Sequence, residues 1–139
     1  MLLERKVSCA GGVTAKVSIP IKFESVNKNL VPYLIKIRGL KGGHSGMEID
    51  KQRGNSNKLM GRILMTIFSE IDMRLSSING GSKHNAISRE TDAVILVKTE
   101  DKVLVENKIL ECEKIFKNEL RTPDPDIRVE FEVLQNLPS

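Results

Sequence analysis

From Tyr33 to Val133 the spacing of apolar residues switches between two and three-to-four in a fixed order, and that order limits the folds open to the chain. Tyr33, Ile35 and Ile37 alternate with polar positions that include Lys36 and Arg38, the period of a half-buried strand. Met60, Leu64, Ile67, Phe68, Ile71 and Leu75 recur at three and four, the stripe of a helix capped by Asn55, Ser56 or Asn57 and running to about Arg74. Gly61 is a misfit in that helix, tolerable where another backbone passes close. Leu75 to Ile78 reads as a short strand turning through Asn79-Gly80-Gly81, and a further segment runs from Ala86 to Lys98. Its end, Ala93-Val94-Ile95-Leu96-Val97, is apolar on both faces, as a covered central strand requires. Val105, Ile109, Cys112, Phe116 and Leu120 mark a second helix from near Lys102, stopped by Thr122-Pro123-Asp124-Pro125. Ile127, Val129, Phe131 and Val133 then alternate in a closing strand.

Strand, helix, strand, strand, helix, strand is the split βαβ order. It predicts an α+β, ferredoxin-like βαββαβ core over about 31–134, an antiparallel sheet with two helices on one face. Val13, Ala15, Val17, Ile19, Ile21 and Phe23 alternate ahead of it and predict an extra N-terminal strand, which Pro20 places at a sheet edge. The whole chain, 1–139, fits a single domain. With four Phe, one Tyr and no Trp, its core must be aliphatic.

Composition excludes several classes. No apolar run approaches the about 18 residues of a membrane span, and Met1 to Lys6 lacks the apolar stretch of a secretory signal, so no membrane contact and a cytoplasmic location are expected. Cys9 and Cys112 are too sparse for a disulfide framework or a metal cluster and read as buried free thiols. The net charge of +4 invites nucleic acid, but the basic residues are scattered among 18 acids, with Lys36, Arg38 and Lys41 the densest group. Base stacking would need exposed aromatics, and Tyr33 and Phe131 both lie in apolar faces. No nucleic-acid partner is expected.

Gly39-Leu40-Lys41-Gly42-Gly43-His44-Ser45-Gly46 places one of only two histidines in a glycine-dense loop. Glycines at that density belong where backbone turns sharply or approaches a ligand. The loop lacks the Gly-Lys-Ser/Thr of a phosphate cradle, and Met47 breaks the pattern of a nucleophile elbow around Ser45. His44, His84, Glu48 and Asp50 do not have metal-ligand spacing, so no metal is assigned to this chain. On the residues alone His44 is either a turn histidine bonding its own loop or a group held for chemistry. His84 reads as exposed, and Asn79 and Asn85 as turn residues.

The motifs carry more. Ser8-Cys9-Ala10-Gly11-Gly12, the glycine–histidine block, Arg53-Gly54-Asn55-Ser56-Asn57-Lys58-Leu59, Ile78-Asn79-Gly80-Gly81, His84-Asn85-Ala86-Ile87 and Arg89-Glu90 follow one another over nearly the whole chain. In that order they resemble the aminoacyl-histidine (Xaa-His) dipeptidases of the dinuclear zinc aminoacylase, carboxypeptidase and carnosinase family. The match falls on that family's lid, or dimerisation, domain. The resemblance implies a fragment of a larger two-domain enzyme whose metal ligands and general base lie in a catalytic domain not matched here. It implies two zinc ions in the full-length enzyme, none in this chain, and an isolated chain without activity. It implies a homodimer, with His44 reaching the partner's active site as an oxyanion stabiliser and Asn85 binding the dipeptide substrate. Asp50, Gln52 and Ser88 stand where such lids often have histidine, glycine and proline, and Ser88 is expected to loosen the loop presenting Asn85. Two rival readings are a stand-alone ferredoxin-like binding or regulatory module and a purely structural dimerisation module.

Overall fold

The computed structural model describes residues 18, 29–44, 53–81 and 86–135, with His44 described in its backbone alone. The elements are β1 (Leu30–Arg38), β2 (Gly43–His44), α1 (Ser56–Phe68), β3 (Met73–Gly80), β4 (Ala86–Ile87), β5 (Thr91–Lys98), α2 (Lys102–Glu119) and β6 (Arg128–Val133), with a 3-10 turn at Thr99–Asp101. β3, β5, β1 and β6 form, in that order, a four-stranded sheet in which every pairing is antiparallel. This is the ferredoxin-like arrangement expected from the periodicity, with β5 inside it as its apolar run requires. The predicted strand over Val13–Phe23 lies, but for residue 18, outside the described residues, as does Cys9.

Both helices pack on one face of the sheet. Tyr33, Ile35 and Ile37 of β1 and Ala93, Ile95 and Val97 of β5 meet Met60, Ile63 and Ile67 of α1 and Val105, Ile109 and Phe116 of α2 in a single core. Among the described residues only Tyr33 and Phe116 are aromatic and fully buried, in keeping with the composition. The Tyr33 hydroxyl donates to Glu106 Oε2 at 2.6 Å. Burial, reinforced by that bond and by the Glu106 charge, pushes the hydroxyl above its ordinary range. Arg62 ties the helices together: its guanidinium donates twice to Glu119 at 2.8 Å and covers the Phe116 ring at 4.8 Å. That bond holds the exposed Glu119 carboxyl below the usual carboxylate range. Cys112 is a buried free thiol, and burial raises its pKa.

Three expectations are corrected. α1 ends at Phe68, not near Arg74, where the Ser69 hydroxyl donates to Thr66 O and the Glu70 and Ile71 N–H groups close a turn on Ile67 O. Its buried face is Ser56, Leu59, Met60, Ile63, Leu64 and Ile67, so Phe68 is left 60% exposed and Leu75 belongs to β3. β3 runs on through Asn79 and Gly80, and a bulge between Leu75 and Ser77 keeps Ile78 opposite Ala93 on the helix side of the sheet. The segment from Ala86 to Lys98 is two strands, β4 and β5, interrupted at Ser88 to Glu90.

Gly61 departs differently. A Cβ added there meets nothing within 4 Å, so no passing backbone explains it. Gly61→Ala is expected to raise stability by about 1 kcal/mol, the helix-interior difference between these residues, as an increased urea midpoint with an unchanged slope.

Candidate functional site

The glycine loop and the segment after Asn85 come together. Gly43 pairs with Ile87 and His44 with Ala86 in a two-residue antiparallel ladder separate from the main sheet. The backbone reaches this position because Gly39, Gly42 and Gly43 hold φ of 83°, 67° and 136°. A Cβ on Gly39 would lie 2.0 Å from the Asp126 carbonyl oxygen, and one on Gly42 would lie 3.1 Å from the Ile87 carbonyl oxygen. His44 thus sits on β2 beside Ala86. Asn85, His84, Ser45, Glu48, Asp50 and Gln52 lie outside the described residues.

Two groups that the sequence reading had not singled out for the site hold this ladder against the body of the domain. Asp124, fully buried, accepts from the Lys41 N–H at 2.9 Å through Oδ1 and from the Gly54 N–H at 2.5 Å through Oδ2. Arg53 donates to the Gly42 carbonyl oxygen at 2.9 Å. The signal for Asp124 was its place between Pro123 and Pro125, which reads equally well as a helix stop.

On the β4 side the Ser56 N–H donates to Ser88 O at 2.8 Å, and the Ser56 and Ser88 hydroxyls lie 2.6 Å apart. The Thr91 hydroxyl lies 2.7 Å from Ser56 Oγ and 2.8 Å from Asn57 Oδ1. Asn55 caps α1, its side chain accepting from the Asn57 and Lys58 N–H groups. Ser88 is therefore bound through both hydroxyl and carbonyl to the first turn of α1, while the loop presenting Asn85, which a serine there was expected to loosen, lies outside the described residues. Gly80 permits this network, because a Cβ on it would fall 2.0 Å from Asn57 Oδ1.

Beside the ladder a cavity of about 260 Å³ is lined by Arg38, Asn79, Gly80, Arg89, Glu90 and Asp92 among others. Its two guanidinium groups face two carboxylates, and Arg38 lies 2.6 Å from Asp92, so the cleft does not single out anions. Lys36 is likewise paired with Glu132 at 3.5 Å. Tyr33 is buried, with Phe131 packed beside it at 6.3 Å between centroids, so Tyr33 offers no stacking surface to a base. Among the described residues no three His, Cys, Asp or Glu side chains are grouped to hold a metal ion. No described helix is long and apolar enough to cross a membrane.

Such a ladder on a ferredoxin-like body describes a domain that presents a loop. Residues 35–123 match the family described as the peptidase dimerisation domain, and the chain belongs to that family. It is 34% identical to the cytosol non-specific dipeptidase of Escherichia coli K12 over 130 residues, which are 94% of this chain and 27% of that protein. The fold matches aminoacylhistidine dipeptidase from Vibrio alginolyticus with a TM-score of 0.82 and 32% identity, over 86% of this chain and 24% of that one. A hydantoinase/carbamoylase family amidase from Burkholderia ambifaria shares the fold alone, with a TM-score of 0.58 at 8% identity over 78% of this chain and 28% of its own. The chain thus spans roughly a quarter of the length of the two dipeptidases it resembles.

Proposed function

We propose that residues 1–139 are the lid and dimerisation domain of a two-domain cytoplasmic zinc dipeptidase, and that the domain carries His44 and Asn85 into the active site of a second subunit. The observation that supports this is the β2–β4 ladder, which sets the backbone of His44 beside Ala86, the neighbour of Asn85. Two segments far apart in sequence pair there, which a merely local turn histidine does not need.

The resemblance places the two zinc ions in the catalytic domain, where they would supply an activated water, and among the described residues no three His, Cys, Asp or Glu side chains are grouped to hold one. The part of this chain is to bind and polarise. The His44 imidazole N–H donates to the scissile carbonyl oxygen as negative charge develops on it, and Asn85 orients the dipeptide. The isolated chain is inactive on this reading. Preference for a C-terminal histidine follows the resemblance to aminoacylhistidine dipeptidase, while the similarity to a non-specific dipeptidase favours a broader choice.

A homodimer suits the β3 edge. Leu75 and Ile78 are 49% and 46% exposed on the helix side of that strand, and Met65 and Phe68 are 66% and 60% exposed on α1, which packs against it. Among the described residues β3 is a sheet edge, and an edge strand flanked by apolar side chains invites a second copy.

The test is complementation in the intact enzyme. As homodimers a chain with His44→Ala is expected to be strongly impaired and a chain inactivated in its catalytic domain to be inactive, and mixed dimers are expected to regain dipeptide hydrolysis above both. Ile78→Lys is expected to remove that regain together with the dimer seen by sedimentation. Mixed dimers that stay inactive would rule out action across the interface.

A further inference from the structure

We infer that Asp124 is a positioning residue for His44, its buried carboxylate fixing where β2 lies. The inference rests on the proposed role of His44. Asp124 lies far along the chain from the glycine loop, at the end of α2, yet its two oxygens serve the two segments that flank the His44 region. Oδ1 takes the Lys41 N–H, two residues before Gly43, and Oδ2 takes the Gly54 N–H, at the entry to α1. A carboxylate taken from water is costly unless its lone pairs are filled, and here backbone N–H groups fill one on each oxygen.

The clamp is rigid at its own base. The Asp124 N–H donates to Leu120 O at 2.8 Å at the end of α2, and Pro123 and Pro125 fix φ on either side of it. The backbone at Gly54 and Gly39 is closely packed. A Cβ on Gly54 would meet Leu120 Cδ1 at 2.8 Å and Leu40 Cδ2 at 3.0 Å, and Gly39 is pressed against the Asp126 carbonyl. The loop is therefore seated on residues 124–126, and the Arg53 bond to Gly42 O is a further tie. An oxyanion donor helps only when it is already in place before charge develops, so a side chain that never touches substrate can still govern turnover.

The test is a double-mutant cycle in the intact dimeric dipeptidase carrying this domain, read by kcat and KM on a dipeptide. Asp124→Asn keeps the shape but retains one acceptor and turns a donor toward the other N–H. Its kcat is expected to fall, by up to the roughly 100-fold that a displacement of about 1 Å costs, with KM changed much less. In a His44→Ala background it is expected to add nothing. Wild-type kcat in Asp124→Asn, or losses that multiply in the double variant, overturns the inference. Where Asp124→Asn does not fold, Asp124→Glu keeps both acceptors but shifts them by a methylene, and the same two criteria apply. Amide hydrogen exchange separates this inference from the function it rests on. If His44→Ala keeps wild-type turnover, the proposed function falls. Exchange at Lys41 and Gly54 about 10- to 100-fold faster in Asp124→Asn then upholds the clamp, and unchanged exchange removes it.

Discussion

His44→Ala in the intact dimeric enzyme is expected to lower kcat by about 100- to 1,000-fold, the usual cost of one lost oxyanion donor, while KM changes far less. The asymmetry follows from timing. A neutral carbonyl oxygen accepts a weak hydrogen bond, and the same oxygen carrying negative charge accepts a strong one, so the donor is worth most in the transition state. The fold should survive, because His44 pairs with Ala86 through its backbone, which alanine keeps. Thermal unfolding within a degree or two of wild type, beside a collapsed kcat, is the expected pairing of results. A loss confined to KM would place His44 in substrate binding only.

Much of the fold was legible because its apolar pattern is strict. Ala93 to Val97 had to be a central strand, and α2 presents Val105, Ile109, Cys112 and Phe116 to the core as their spacing requires. The failures share a cause: the local pattern and the tertiary contacts disagree on where an element ends. Ile71 extends the spacing of α1 and is buried, yet neither proline nor glycine marks the turn at Ser69–Glu70 that stops the helix. Asn79-Gly80 carries turn chemistry and is strand, because its glycine answers to Asn57 and Thr91 across the sheet face. At the site, the glycine–histidine loop announced itself through composition. Asp124 did not, since an aspartate between prolines after a helix is a sufficient stop signal, and only the fold reveals that Lys41 and Gly54 lie at its oxygens.

The same substitution at two glycines is expected to act in opposite directions, and the loop position carries the larger effect. Gly39 holds φ at 83°, a conformation that costs a residue with a side chain about 1–2 kcal/mol. Its added Cβ would also fall 2.0 Å from the Asp126 backbone carbonyl, which cannot rotate aside as a flexible side chain would. One strand of chain must move, at the roughly 1–3 kcal/mol of an overpacked contact. Gly39→Ala is therefore expected to cost about 2–5 kcal/mol, a large share of the roughly 5–15 kcal/mol by which domains are stable. Urea unfolding of the 139-residue chain reads it directly: the midpoint falls for Gly39→Ala and rises for Gly61→Ala. In the intact enzyme Gly39→Ala should also lower kcat, because the displaced backbone leads straight into Lys41 and its bond to Asp124. A Gly39→Ala chain as stable as wild type would mean that the loop is not seated on residues 124–126, and that Asp124 does not fix the position of His44.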